Sequence, residues 1–190
     1  MTHPSTLARH EVWELDSQHS QVEFAVRHMM ISTVRGRFRR VSGTIFMDPA
    51  EPATASAEIQ IEASSIDSGL NIRDDHLRST EFLDTERYPV IGYRTTRIDR
   101  LDTDSYAVQG ELSIRGIVRE VPLLVLGAGI VTDPWGTQRA GFSATTKISR
   151  TDFGLTWNAA LETGGVAVGD EVTITIDVEL LRDSNRRAAS

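Results

Sequence analysis

The chain has 190 residues, a hydrophobic content of 39%, a charged content of 25% and a formal net charge of −7. These values indicate one soluble globular domain and argue against general nucleic-acid binding, which needs basic side chains to neutralise phosphates. The absence of cysteine excludes disulfides and thiol catalysis. The first ten residues lack the apolar run of a secretory signal, so we expect a cytoplasmic location.

The chain is predicted to contain one folded domain between two polar ends. Residues 1–11 are expected to form a flexible N-terminal arm, residues 12–181 the domain, and residues 182–190 a polar C-terminal tail. Within the domain, eight segments alternate apolar and polar residues with a period of two, which predicts half-buried β-strands. They lie near 12–28, 34–48, 55–62, 89–98, 104–115, 118–126, 138–149 and 170–181.

Several strands show one apolar row clearly. In the first strand, Val22, Phe24 and Val26 share a parity with His28. Corresponding rows in later strands are Tyr106, Val108, Leu112 and Ile114; Phe142, Ala144, Thr146 and Ile148; and Val172, Ile174, Ile176, Val178 and Leu180. Each row is expected to face the interior of the domain.

The region 64–88 is the one long interval without a strand pattern. Asn71 is expected to cap a short helix that runs through Leu77, with Asp74 three residues further on in the capping-box position. The segment offers an apolar side for covering the domain, made by Ile66, Leu70, Leu77 and Phe82.

Eight amphipathic strands favour a closed antiparallel barrel, because closure removes exposed sheet edges. Small residues recur in the inward register, namely Gly110, Gly116, Ala57, Ala144 and Thr146. They would leave interior volume that a bound apolar molecule could fill. The other explanation is that they accommodate bulky neighbours across the barrel, and the pattern alone favours neither.

His28 is the polar member of an apolar row. It would either contact a ligand head group or water at one end of a pocket, or be a core histidine bonded to a carbonyl. His19 has the opposite parity, so the two histidines are not expected to bind one metal. Asp74, Asp75 and His76 are adjacent on a short helix and cannot all converge on one ion.

Two further groups of charged residues admit a structural explanation. Arg73 and Asp74 are expected to stabilise the start of the helix, although Arg73 could also pair with a lipid head group. Arg35, Arg37 and Arg39 face outward beside Arg40. They would either attract an anionic lipid surface or form a solvated face balanced by carboxylates.

Catalytic motifs are weak in this chain. Asp152-Phe153-Gly154 lacks the other parts of a kinase signature, and neither G-x-S-x-G nor a phosphate-binding loop is present. Lys147 has the parity opposite to the inward row of its strand, which argues against Schiff-base chemistry.

From about Trp13 to Leu181 the chain resembles the YceI-like family of polyisoprenoid-binding, lipocalin-like barrels. The resemblance rests on D-S-Q-H-S-Q-V-E-F-A-V-R-H and V-R-G-R-F near the start, then I-D-S-G-L-N-I-R-D-D-H-L, F-L-D and Y-P. G-E-L-S-I-R-G, S-R-T-D-F-G and V-G-D-E-V follow in the correct order. No single motif is decisive, but the ordered set is specific.

The resemblance implies an all-β fold, an extended eight-stranded antiparallel β-barrel with a short helical segment covering one end. It also implies a long apolar ligand, such as the tail of a polyprenyl lipid or isoprenoid quinone, and suggests a homodimer. Many family members carry a secretory leader, whereas this chain resembles the leaderless, cytoplasmic ones.

The leading hypothesis is therefore a non-catalytic lipid carrier without cofactor, metal or transmembrane segment. One alternative is an isomerase or hydrolase acting on such a lipid, for which the inward register offers His28 and Tyr93 and little else. The other is a structural barrel with a filled core. The residues predicted to contact the lipid are Phe24, Val26, His28, Phe38, Ile45, Ile59, Ile61, Leu77, Phe82, Tyr93, Leu112, Ile114, Phe142 and Ile174.

Overall fold

A computed structural model describes residues 10–161 and 164–187, with side chains as far as residue 183. The strands are β1 (Glu11–Leu15), β2 (Gln21–His28), β3 (Ser32–Phe38), β4 (Val41–Met47), β5 (Ser56–Glu62), β6 (Ile66–Asp67), β7 (Val90–Arg100), β8 (Ser105–Ile114), β9 (Ile117–Thr132), β10 (Gln138–Ser149) and β11 (Val168–Arg187). The helix α1 spans Asn71–Arg78. Short 3-10 helices lie at Pro52–Thr54, Ala63–Ser65 and Thr151–Phe153.

The paired strands of the described residues close into an antiparallel barrel. The order β1-β4-β5-β7-β8-β9-β10-β11 returns to β1, because β11 also pairs with β1. At one end the wall is continued by β2 along β11, by β3 along β2, and by β6 along β3. The predicted eight-stranded barrel is thereby confirmed, with several of its strands interrupted.

The predicted strand 12–28 consists of β1 and β2, with a break at 16–20. Both segments pair with the same edge of β11, and the break is bridged at Glu179. The Asp16 amide donates to the Glu179 carbonyl at 2.8 Å, and the Glu179 amide donates to Ser20 Oγ at 3.0 Å. These bonds replace the regular ladder, so the wall stays closed across the break.

The last strand continues past the predicted boundary at residue 182. β11 extends to Arg187 because β1 supplies a partner there, with Glu11 opposite Arg187. The predicted polar tail therefore begins as strand. The remainder of the tail, 188–190, and residues 1–9 of the predicted arm lie outside the described residues.

The predicted inward rows of β8, β10 and β11 all face the barrel interior. Lys147 points outward as expected, and its Nζ lies 2.8 Å from Glu171 Oε1. Strand parity thus identified the interior face correctly wherever a strand remained regular.

The start of α1 differs from the expectation. Asn71 is the first residue of the helix, and Leu70 precedes it without a side-chain cap. Asp74 is buried, and its Oδ1 accepts bonds from the Ser68 amide at 2.8 Å and from Ser68 Oγ at 2.5 Å. The predicted Asn71 cap is therefore wrong, since a carboxylate one turn further on fixes the chain entering the helix.

Candidate functional site

The barrel encloses an apolar cavity of about 330 Å³. This volume lies at the lower end of the range found for small-molecule sites, about 300–1,000 Å³. The wall is almost entirely aliphatic and aromatic, and its polar members are Glu23, Tyr93, Thr95, Tyr106, Ser143, Thr146 and Arg150. The filled-core alternative does not describe this interior. Of the five small residues predicted to face inward, Ala57, Ala144 and Thr146 line the cavity. Gly110 and Gly116 instead accommodate the rings of Tyr93 and Tyr88, as the other explanation expects.

Glycines in the wall explain how the cavity stays open. A Cβ on Gly36 would lie 2.4 Å from Phe24 Cζ, and one on Gly110 would lie 2.3 Å from Tyr93 Cζ. A Cβ on Gly43 would lie 2.5 Å from Ile59 Cδ1. Each large side chain therefore lies flat over a neighbouring glycine, which keeps its bulk against the wall and out of the cavity.

Most residues predicted to contact a lipid line this cavity. They are Phe24, Val26, Phe38, Ile45, Ile59, Ile61, Leu77, Phe82, Tyr93, Leu112, Ile114, Phe142 and Ile174. Leu77 and Phe82 reach it from α1 and the loop that follows, as expected for a cover. Their contact with a lipid stays a prediction.

His28 is the exception among the predicted wall residues. It is half-buried at the end of β2 and is not part of the cavity wall. The row of alternating residues ends at Val26 because the chain turns away through Met29–Ile31. The structure therefore gives no cavity role to the histidine that the parity pattern singled out.

Arg150 is a buried cation that packs against the cavity wall, and the sequence reasoning missed it. Its side chain lines the cavity, the residue is only 4% exposed, and burial lowers the pKa of its guanidinium. Nε donates to the Gly169 carbonyl at 2.9 Å, Nη2 to Val168 at 3.3 Å, and Nη1 to Leu155 and Trp157. The only signal for it was its place in the S-R-T-D-F-G motif.

These four bonds leave one N–H of the guanidinium without an acceptor among the described residues. No carboxylate of the described chain bonds Arg150 directly, although the charge of Asp170 lies close enough to stabilise the cation. The wall presents almost no polar surface to the cavity, so this N–H is not exposed to a ligand there, and the guanidinium serves to bind backbone carbonyls.

A cover of α1 and residues 79–89 closes the end of the barrel at which Arg150 lies. Arg78 anchors it by donating to the carbonyls of Ser64 at 2.9 Å and Ile66 at 2.8 Å. Arg115, in the tight turn between β8 and β9, donates to the carbonyls of Thr80 at 2.8 Å and Gly154 at 3.0 Å. Arg73, within the cover, donates through Nε to Ser68 Oγ at 2.7 Å and through Nη2 to the Ser68 carbonyl at 2.8 Å, so it stabilises the start of the helix as expected.

An aromatic group lies on the cover. The rings of His76 and Phe82 pack edge to face at 4.9 Å, and His76 and Trp157 do so at 4.7 Å. His76 Nε2 lies 2.8 Å from Glu81 Oε2. Asp74 and Asp75 bind elsewhere, to Ser68 and Arg78, so the three adjacent residues do not converge on one point.

Three of the four arginines between residues 35 and 40, in β3 and the turn that follows it, agree with the structural explanation. Arg37 and Arg39 pair with Asp67, at 3.7 Å and 2.5 Å, and Arg40 pairs with Glu62. Arg35 has no ion pair within the described part of the chain. The Asp152-Phe153-Gly154 motif is structural as well, since Phe153 is buried in the core and Gly154 has a φ of 72°.

A charged network lies at the break between β1 and β2. Arg139 Nη1 lies 3.1 Å from Asp16 Oδ2 and also bonds Glu179, while its Nε donates to Asp133 Oδ2 at 2.9 Å. His19 Nδ1 lies 2.8 Å from Asp16 Oδ2. Asp16, His19 and Glu179 could group around a cation, but the guanidinium of Arg139 already bonds both carboxylates.

We expect this network to make stability depend on acidity. Bonding to His19 and Arg139 lowers the pKa of Asp16, and bonding to Arg139 lowers the pKa of Asp133. Since an unfolded aspartate titrates near pH 3.9, the unfolded chain binds more protons than the native one below about pH 5. The free energy of unfolding should therefore decrease as pH falls from about 5 toward 3.

Urea unfolding at several pH values tests this expectation. Arg139→Gln should flatten the acid decrease, because Asp133 loses the main partner that lowers its pKa and Asp16 loses one of its partners while it keeps His19. Arg97→Gln is the control, since Arg97 is exposed and pairs with Asp99 on the surface. Equal acid slopes for wild type and Arg139→Gln would contradict the prediction.

Comparison with known proteins supports this architecture. The YceI-like domain family matches residues 13–180. A UPF0312 protein of Azotobacter vinelandii is 30% identical over 176 residues, which cover 93% of this chain and 88% of the relative. Protein YceI of Escherichia coli O6:H1 is 34% identical over 164 residues, covering 86% of this chain and 82% of the relative.

Solved structures share the fold. BcnA of Burkholderia cenocepacia superposes with a TM-score of 0.76 at 25% identity, covering 87% of this chain and 98% of BcnA. A polyisoprenoid binding domain from Saccharophagus degradans, implicated in plant cell wall breakdown, gives a TM-score of 0.70 at 17% identity, covering 92% of this chain and all of that domain. Among the described residues, no helix has the length and apolar character needed to cross a membrane.

Proposed function

The chain belongs to the YceI-like domain family, and on that premise we propose that its barrel is a non-catalytic carrier for a long-chain isoprenoid lipid, such as a polyprenyl lipid or the tail of an isoprenoid quinone. The observation that carries the proposal is the apolar cavity, whose wall is completed by two cover residues, Leu77 and Phe82. The S. degradans domain of the same fold, described as polyisoprenoid binding, is consistent with this ligand class.

Burial of the tail would supply the affinity. At about 25 cal/mol per Å² of apolar surface, a tail that loses several hundred Å² gains on the order of 10 kcal/mol before the costs of ordering. Selectivity would come from the length of the tail and the width of the barrel, because the wall presents almost no polar surface to a ligand.

The wall favours binding over chemistry. Its titratable groups are sparse, and the Tyr93 hydroxyl donates to the Val121 carbonyl at 3.2 Å. Burial raises the pKa of Tyr93 well above its ordinary value, and the charge of Glu120 adds to this shift. A general acid or base needs a pKa near the working pH, so Tyr93 is poorly suited to either role.

Native mass spectrometry of the purified protein, followed by organic extraction, tests the proposal. We expect a co-purified lipid, or uptake of an added polyprenyl alcohol by lipid-free protein. A clean unliganded mass without uptake of any polyprenyl or quinone would refute the proposal. The same spectra give the oligomeric state and so test the expected homodimer.

A pair of matched variants ties uptake to the cavity. Ala144 lines the cavity, whereas its neighbour Thr145 faces outward and is exposed. Ala144→Phe should fill part of the cavity and weaken uptake at least about tenfold, since the ligand would lose comparable apolar burial. Thr145→Phe should bind lipid as the wild type does. Equal uptake by both variants would place the ligand elsewhere.

A further inference from the structure

The hairpin tip between β2 and β3 presents three consecutive apolar side chains to solvent. Met29, Met30 and Ile31 are 42%, 55% and 82% exposed. Single exposed apolar residues are ordinary on protein surfaces, but three consecutive ones at a hairpin turn form a contiguous apolar patch. Residues that insert into the boundary of a bilayer have this character.

The backbone of this tip is in a conformation that methionine rarely adopts. Met29 has a φ of 48° and Met30 a φ of 60°, in the left-handed region where glycine or asparagine is usual. Arg27 holds the turn, since its Nη2 donates to the Met30 carbonyl at 2.6 Å and its Nη1 to Thr33 Oγ1 at 3.3 Å. Long apolar side chains thus occupy turn positions where small residues would be less strained.

The outer face of the hairpin carries two exposed arginines close to its tip. Arg27 and Arg35 are exposed, and neither has an ion pair within the described part of the chain. By contrast, Arg37, Arg39 and Arg40 further along the wall are all paired with acidic residues. Because the whole chain has a charge of −7, unpaired arginines beside an apolar tip are a local feature that complements an anionic surface.

The tip also lies close to Arg150, at the end of the barrel that the cover closes. The Met29 amide donates to the Ala167 carbonyl at 2.8 Å. The next two carbonyls, of Val168 and Gly169, accept bonds from Arg150 in the cavity wall. The apolar tip, the two arginines and the cover therefore belong to one end of the barrel.

We propose that the β2–β3 hairpin tip is a docking site for an anionic lipid bilayer, with Met30 and Ile31 inserted and Arg27 and Arg35 on the head groups. Docking at this end would place the cover and Arg150 next to the membrane from which a lipid could enter. The proposal goes beyond cargo binding, because lipid-free protein with an empty cavity should dock equally well.

Vesicle flotation tests the proposal with two compositions, phosphatidylcholine alone and phosphatidylcholine mixed with phosphatidylglycerol, at low and high salt. Wild type should bind the mixed vesicles at low salt, bind weakly to neutral ones, and be released by salt. Met30→Ser with Ile31→Ser should weaken binding at least about tenfold, by removing the inserted surface. Arg35→Gln should weaken it about fivefold, since one basic side chain near an anionic surface contributes roughly that factor.

Trp135→Ser is the matched control. Trp135 is 83% exposed at the β9–β10 turn, at the opposite end of the barrel, so its removal should leave vesicle binding unchanged. The proposal is overturned if wild type does not bind the mixed vesicles, if it binds neutral vesicles equally, or if Trp135→Ser loses as much as the tip variant. A tip variant that changes only the oligomeric state would assign the surface to a protein partner instead.

Polyprenyl uptake from detergent separates this proposal from the proposed function. Met30 and Ile31 do not line the cavity, so the tip variant should take up the lipid as the wild type does. Normal uptake with lost vesicle binding supports docking at the tip. Vesicle binding by wild type without any lipid uptake would refute the carrier function alone.

Discussion

Gly36→Ala should abolish most lipid uptake, although it adds only one methyl group. That methyl would lie 2.4 Å from Phe24 Cζ and 2.9 Å from the Asp67 carbonyl oxygen, distances that non-bonded carbon atoms do not tolerate. The phenyl ring is the movable neighbour, and its free side is the cavity. We therefore expect the ring to swing inward and obstruct the cavity, with uptake reduced at least about tenfold and stability reduced by about 1–3 kcal/mol from overpacking.

Gly92→Ala is the matched control for this prediction. Gly92 is also a strand glycine, but a Cβ there would meet nothing within 4 Å, and its φ is not positive. Alanine should leave uptake unchanged and stability equal or slightly higher, since glycine weakens a strand interior. Uptake and urea unfolding of both variants give the comparison.

A second substitution identifies the ring as the cause. Phe24→Ala added to Gly36→Ala removes the displaced phenyl group, so uptake should recover in the double variant although the core loses packing. If Gly36→Ala binds lipid normally, the ring does not enter the cavity. If the double variant stays inactive, strand spacing at Asp67, and not the ring, limits binding.

Arg150→Met should destabilise the protein by about 3 kcal/mol or more. The substitution removes the donor for four carbonyls of Leu155, Trp157, Val168 and Gly169 and leaves them without their charged partner. Arg150→Lys keeps the charge, but an ammonium group cannot reach the several carbonyls that the planar guanidinium binds. Lysine should therefore recover only a minor part of the lost stability.

Urea unfolding of both Arg150 variants measures the effect. Arg97→Met is the control, because Arg97 is exposed and its single ion pair with Asp99 lies in water. A change no larger for Arg150→Met than for Arg97→Met would show that the carbonyls find other donors. If Arg150→Lys were as stable as the wild type, a positive charge at this position would be sufficient without the geometry of the guanidinium.

The sequence by itself determined the wall of the barrel. A strand has a strict period of two, so the rows through Phe142 and Ile174 were assigned to the interior from alternation alone, and Lys147 to the outside. Ordered family motifs then fixed the barrel and its cover. Local patterns of this kind are sufficient wherever each residue's direction follows from its neighbours in the chain.

The alternation of apolar and polar residues gave wrong predictions at the ends of regular elements. His28 continues the parity of Val26, yet it lies outside the cavity because the strand ends there and turns into the hairpin tip. The start of α1 failed for a related reason. The residue that fixes it, Asp74, bonds Ser68 through a contact across six positions that the usual cap motif does not contain.

Only the tertiary structure decided how the interior is shaped and how Arg150 is bound at one end of the barrel. Whether an inward glycine opens volume or accepts a neighbour depends on the adjacent strand, and Gly36 and Gly110 do both by taking rings against the wall. Arg150 follows a β-strand in sequence, but its partners lie in the loop that holds Leu155 and Trp157 and at the start of β11, up to nineteen residues away. Such contacts depend on packing between distant segments, which the alternation of residues along one strand does not encode.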